Sequence, residues 1–86
     1  MRPTSALLAE RGETHGRFED NARIAQALKS VIHGEPTWDR MLVQHQESLD
    51  LIASKLARIL SGQADFGGHW EDVAGYAELA LKACDR

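Results

Sequence analysis

Apolar residues recur at helical spacing in three segments of the chain, and this pattern limits the possible folds more than any other feature. The segments cover about residues 17–33, 42–61 and 69–84, and Gly34 and Gly62 follow the first two. β-branched residues are few, so helices are expected and strands are not. The residues that carry the pattern are Phe18, Ala22, Ala25, Leu28 and Ile32 in the first segment, Leu49, Ile52, Ala53, Leu56 and Leu60 in the second, and Trp70, Val73, Ala77, Ala80, Leu81 and Cys84 in the third.

The sequence therefore predicts an all-α fold, a small bundle of three long helices and one short N-terminal helix. Thr4 or Ser5 can cap the short helix, which ends near Arg11 before Gly12. The 86 residues form a single helical domain, residues 1–86. A chain of this length buries only about 60–65% of its unfolded surface, so we expect a homo-oligomer, most simply a homodimer.

Charge and composition exclude several classes of function. A net charge of −3 argues against general nucleic-acid binding, which needs a basic surface. The only cysteine, Cys84, cannot form an internal disulfide, which suits a reducing cytoplasm. No signal peptide is visible, and no apolar stretch reaches the roughly 18 residues that a membrane span needs. We expect a cytoplasmic protein without a membrane partner.

The last helix carries polar residues beside its apolar stripe. His69, Asp72 and Tyr76 share a flank with Leu79 and Ala83 when residues advance by about 100°. A flank of this mixed character predicts that His69 and Asp72 lie at the mouth of a cleft, with Asp50 as the nearest acid across it. The alternative is that His69 only starts the helix and Asp72 only favours the positive end of the helix dipole.

The second long helix has a polar stripe opposite its apolar one, formed by Glu47, Asp50, Ser54 and Arg58. Taken alone, this stripe is a solvated face. Leu51 lies amid it and indicates that this face also packs, most simply against another subunit.

Two polar residues stand out near the start of the first long helix. Asn21 projects from the middle of the apolar face, where its amide must be hydrogen-bonded. It either bonds a neighbouring backbone or lines a pocket and pairs with a ligand. His15 lies in the loop sequence "THGRF", where a histidine beside glycine can approach a phosphate or a base.

The spacing Glu47-x-x-Asp50 followed by His69-x-x-Asp72 resembles the acidic motif of the MazG-like all-α nucleoside triphosphate pyrophosphohydrolases. That resemblance implies Mg²⁺ held by Glu47, Asp50 and Asp72, with His69 as a ligand or a water-orienting base. Lys55 or Arg58 would then neutralise phosphate. Asn21, His15 and Tyr76 would meet the rest of the nucleotide. The chain departs from the motif at His69, which stands in the place of a carboxylate, and imidazole is a poor ligand for Mg²⁺.

The sequence of about residues 9–81 resembles a family of small helical phage and prophage proteins that carry a domain of unknown function. The segments that carry the resemblance are "ERGETHGRFEDNARIAQALK…ESLDLIASKLARIL…HWEDVAGYAEL". This resemblance favours nucleotide chemistry, namely Mg²⁺-dependent nucleotide binding or hydrolysis. The alternative is a non-catalytic accessory protein whose helical surfaces bind a host or phage protein. The acid spacing and Asn21 favour the first function, whereas His69 favours the second, so whether the chain is an enzyme stays open.

Overall fold

The computed structural model describes residues 17–62 and 64–84, and these residues form helices without any strand. The α-helices are α1 (Phe18–His33), α2 (Val43–Ser61) and α3 (Gly67–Lys82), and a 3₁₀-helix, Pro36–Arg40, joins α1 to α2. The all-α class and the three long helices are confirmed. The predicted short N-terminal helix and His15 lie outside the described residues.

Helix α2 is the central element, because α1 packs along one side of it and α3 along another. Helices α2 and α3 run antiparallel. His45 at the start of α2 meets Ala80 near the end of α3, and Lys55 in the middle of α2 meets Asp72 in the first half of α3. Within the described residues, no helix is both long enough and apolar enough to cross a membrane.

The connector between α1 and α2 is fixed by Trp38. Its ring lies against the His33 ring at the end of α1, with 4.4 Å between the ring centroids. Its backbone carbonyl accepts a hydrogen bond of 2.7 Å from Gln46 Nε2 in the first turn of α2. The residues "GEPTWDR", which connect α1 to α2, thus set where α2 begins.

The core consists mainly of small side chains on α2. Ala57 and Ala53 are 0% and 1% exposed, and Ile59 is also buried. Alanine at buried positions lets neighbouring helix backbones approach closely, so little volume remains for larger side chains. The predicted stripe on this helix is correct at Ala53, but Leu60 is exposed.

Helix α3 is rotated relative to the prediction. Trp70 and Leu81, expected in the core, are 50% and 54% exposed, whereas His69 is 1% exposed. Trp70 turns its ring towards the preceding loop, where Nε1 donates a hydrogen bond of 2.6 Å to Ala64 O. Residues at alternating steps of four and three, rather than the most apolar ones, form the more buried face: His69, Val73, Tyr76, Ala80 and Ala83.

Candidate functional site

A groove of about 540 Å³ runs between the first half of α2 and the second half of α3. Most of its lining is apolar, and Leu51 and Tyr76 form part of its walls. Val43 and Leu79 also line it and are 72% and 60% exposed, so apolar side chains border the groove on both helices. The residues that line this groove, called the α2–α3 groove below, are Val43, Gln44, Glu47, Ser48, Leu51, Tyr76 and Leu79.

Two predicted site residues, Glu47 and Tyr76, line the α2–α3 groove. Among the described residues that line the groove, Glu47 is the one charged side chain, and Ser48 beside it is buried. The described part of the groove therefore combines apolar walls with the carboxylate of Glu47. This composition suits a largely apolar ligand or a helix with an apolar face.

Lys55 and Asp72 form an ion pair one helical turn beyond the groove, with 2.9 Å between Nζ and Oδ2. The hydrogen bond from Lys55 lowers the pKa of Asp72 below its ordinary value of 3.8, and although burial opposes this shift, the charges of Lys55 and His69 add to it. Asp72 is therefore a carboxylate at neutral pH. The sequence predicted Asp72 as a metal ligand and Lys55 as a phosphate ligand, whereas here the two side chains bind each other.

Asp50 faces α1 rather than α3. Its Oδ1 lies 2.7 Å from His33 Nε2, and both side chains are partly exposed. Among residues 17–62 and 64–84, His, Cys, Asp and Glu side chains nowhere meet in a group of three that could hold a metal ion. Asp50 and Asp72 thus contact different neighbours, and Mg²⁺ binding by Glu47, Asp50 and Asp72 stays a prediction.

His69 is a buried residue in the first turn of α3 and not the mouth of a cleft. It is 1% exposed, and its ring meets Phe66 edge-on with 4.8 Å between the ring centroids. The prediction that His69 lies at the mouth of a cleft was wrong, because α3 turns this side chain inward. A side chain buried to this degree is placed to support packing rather than to orient water on an exposed substrate.

Two further predicted site residues lie on other parts of the bundle. Asn21 is 8% exposed on α1, so its predicted burial is confirmed. Arg58 is half-buried in the last part of α2, two turns beyond Leu51. Neither residue lines the α2–α3 groove.

Sequence reasoning missed the groove as a whole. Val43, Gln44 and Ser48 were not singled out, although Leu51 amid a polar stripe was a signal for it. Leu79 was a second signal, since it lies on the mixed flank of α3. Leu51 was expected to pack against another subunit, and it lines this one groove together with Leu79.

Comparison with known proteins identifies a family and nothing more specific. No curated protein matches the chain significantly. No solved structure does either. The family model of the domain of unknown function DUF6378 matches residues 2–83, which is nearly the whole sequence. The chain therefore belongs to the DUF6378 family.

Proposed function

We propose that this chain is a self-associating helical protein whose α2–α3 groove binds a second copy of the same chain. The observation that carries the proposal is the convergence of Val43, Leu51, Tyr76 and Leu79 on one largely apolar groove. An apolar surface that is contiguous, rather than scattered, is typical of an interaction site. A non-catalytic binding role also agrees with the burial of His69 and the pairing of Asp72 with Lys55.

The balance between buried and exposed apolar residues supports a protein partner. Among the described residues, three apolar side chains are buried, and two of them are alanines. Nine large apolar side chains in the same residues are at least 37% exposed, including Val43 and Leu79. A small chain with so little buried volume has a marginal core, and association with a partner is one way to stabilise it.

A second copy fits this groove better than an unrelated protein for two reasons. A two-fold interface uses the same patch on both partners, so one groove with protruding apolar residues can serve both sides. Glu47, the one charged side chain among the described lining residues, lies one turn before Leu51 and is exposed, so it can stay solvated in a symmetric contact. A copy of the chain is also always present at matching concentration.

The test is a pair of groove substitutions with a matched control. Leu79→Glu and Val43→Glu place a charge at exposed groove positions, so each should leave the monomer folded while preventing association. Leu60→Glu is the control, because Leu60 is similarly exposed, at 68%, and does not line the groove. Sedimentation velocity should show a monomer for both groove variants and an oligomer for the control. Equal association of all three variants would overturn the proposal.

A second candidate function is nucleotide binding at the same groove, as in the MazG-like enzymes that the motif resembles. The specific observation that favours it is the placement of Glu47 and Tyr76 in the groove with the Lys55–Asp72 pair one turn away. Tyr76 could stack on a base, and Lys55 could exchange Asp72 for a phosphate.

Thermal shift with a panel of nucleotides, with and without Mg²⁺ or Mn²⁺, tests this second candidate, because a ligand that binds only the folded state raises its melting temperature. A rise that Tyr76→Ala and Lys55→Met abolish would support it. A rise that requires Mg²⁺ and is lost in Asp50→Asn would support the predicted metal ligands. No shift with any nucleotide would contradict the candidate and leave the self-association proposal untouched.

A further inference from the structure

Among the described residues that line the α2–α3 groove, Ser48 alone is buried, and its side chain is polar. It is 7% exposed and lies on the α2 side of the groove. Within residues 17–62 and 64–84, its hydroxyl has no hydrogen-bond partner, because the side-chain hydrogen bonds of this part of the chain join other residues. The groove thus contains a buried polar group that is not satisfied by the single chain.

A buried hydroxyl without a partner costs free energy, and native proteins rarely keep one. A serine in a helix can turn its hydroxyl towards the carbonyl four residues earlier, which here belongs to Gln44, but Ser48 does not make this bond. Because Ser48 lines the groove, a side chain that enters the groove can reach it. The hydroxyl therefore indicates an occupant that brings a hydrogen-bonding group.

We propose that Ser48 makes the groove selective for a copy of the same chain, because its hydroxyl accepts a hydrogen bond from the side-chain amide of Gln44 of the partner subunit. This inference rests on the proposed self-association and identifies the residue pair that gives it specificity. A two-fold interface uses the same residues on both copies, so the bond forms twice. The site of each Ser48 is incomplete without the second copy.

Three side chains of the groove carry polar groups that a second copy can bring to Ser48, and Gln44 suits it best. Gln44 is exposed, long and uncharged, and its amide both donates and accepts. The carboxylate of Glu47 would lose its water in an apolar groove, which is costly for a charge. Tyr76 is half-buried in the groove wall, so less of its ring is free to extend into another chain.

The pair gives specificity because the rest of the contact is apolar. Apolar surfaces adhere to many partners, whereas a single polar pair within an apolar interface selects one register and one partner. A foreign apolar surface without a donor at this position leaves Ser48 unsatisfied and binds less tightly. A copy of the same chain always presents Gln44 one helical turn from its own Ser48.

A double-mutant cycle on the dissociation constant of the dimer tests the pair. Ser48→Ala removes the hydroxyl, and Gln44→Met keeps the length of the side chain but removes the amide. Sedimentation equilibrium of the full chain gives the dissociation constant of each variant and of the double variant. Each single variant should weaken the dimer about tenfold, since the bond forms twice. The double variant should also be weakened about tenfold rather than about a hundredfold, because both changes remove the same bond.

Two variants serve as matched controls. Ser54→Ala removes the same hydroxyl from a half-buried position on α2 that does not line the groove, so it should leave the dissociation constant unchanged. Tyr76→Phe removes only a phenol hydroxyl, and its effect should add to that of Ser48→Ala without coupling. Circular dichroism checks that every variant is helical.

The outcomes separate this inference from the self-association on which it rests. A wild-type protein that stays monomeric would overturn both proposals. A dimer that Ser48→Ala does not weaken would show that the hydroxyl serves only its own chain, and would overturn the pair while self-association stands. Coupling of Ser48→Ala with Tyr76→Phe, but not with Gln44→Met, would likewise overturn the assignment of Gln44.

Discussion

Lys55 on α2 contacts Asp72 on α3 one helical turn away from the positions where Leu51 and Tyr76 line the groove. The pair therefore extends the line of contact between the two helices beyond the apolar groove. Both side chains were predicted to bind a nucleotide and its metal. In the fold they neutralise each other and help to fix α3 against α2.

The Lys55–Asp72 pair predicts a specific dependence of stability on pH. The pKa of Asp72 is lowered in the folded state from 3.8, so the unfolded chain binds this proton more readily. The stabilisation is fully present above pH 3.8 and is lost as the pH falls through the lower folded pKa. Urea denaturation of the wild type and Asp72→Asn at a series of pH values measures it.

In that series the wild type should be more stable than Asp72→Asn at neutral pH, and the two curves should converge in acid. The difference is expected to be small, because Asp72 is half-exposed and salt screens the pair. Lys55→Met should likewise be less stable than the wild type at neutral pH, and its stability should converge with that of the wild type in acid. A constant offset between wild type and Asp72→Asn at every pH would argue against the pair as its source.

Substitution of His69 tests whether this residue is structural. His69→Ala should lower the free energy of unfolding by about 2–4 kcal/mol, because it removes a fully buried ring that packs on Phe66. Trp70→Ala is a useful comparison. The Trp70 ring is half-exposed, so its removal should lower the free energy of unfolding by less. A His69→Ala variant as stable as the wild type would reopen a functional role for the imidazole.

The close approach of the helices at Ala57 predicts that a larger side chain is not tolerated there. Ala57 is 0% exposed, so Ala57→Leu should destabilise the fold by about 1–3 kcal/mol through overpacking. Ala74→Leu introduces the same side chain at an exposed position on α3 and should change stability by less than about 0.5 kcal/mol. Thermal unfolding of both variants measures the contrast. Equal effects would mean that α2 is packed differently.

The sequence was sufficient for the class and order of the helices but not for their rotation. The apolar spacing and the glycines after α1 and α2 identified both helices to within a few residues. A glycine ends a helix through local backbone conformation, so this signal can be read from the sequence. The rotation of α3 was misjudged because the largest apolar residues, Trp70 and Leu81, were assigned to the core. In a core of alanines there is little space for them, and the spacing of smaller residues decides which face turns inward.

The candidate site was only partly predictable for a related reason. Glu47 and Tyr76 come together because α2 and α3 are antiparallel and in a register that the loop sequence does not reveal. Asp50 was expected to face α3, but its position on α2 turns it towards His33 on α1. Helical spacing tells which residues share a face, whereas the choice of the neighbouring helix depends on tertiary packing.

The most direct test of self-association is the mass of the wild-type protein in solution. Light scattering after size-exclusion chromatography, over a dilution series in the micromolar range, compares that mass with the 9.5 kDa of one chain. The proposal predicts at least twice this value, with dissociation towards one chain only on dilution. A mass of one chain throughout the series would contradict it.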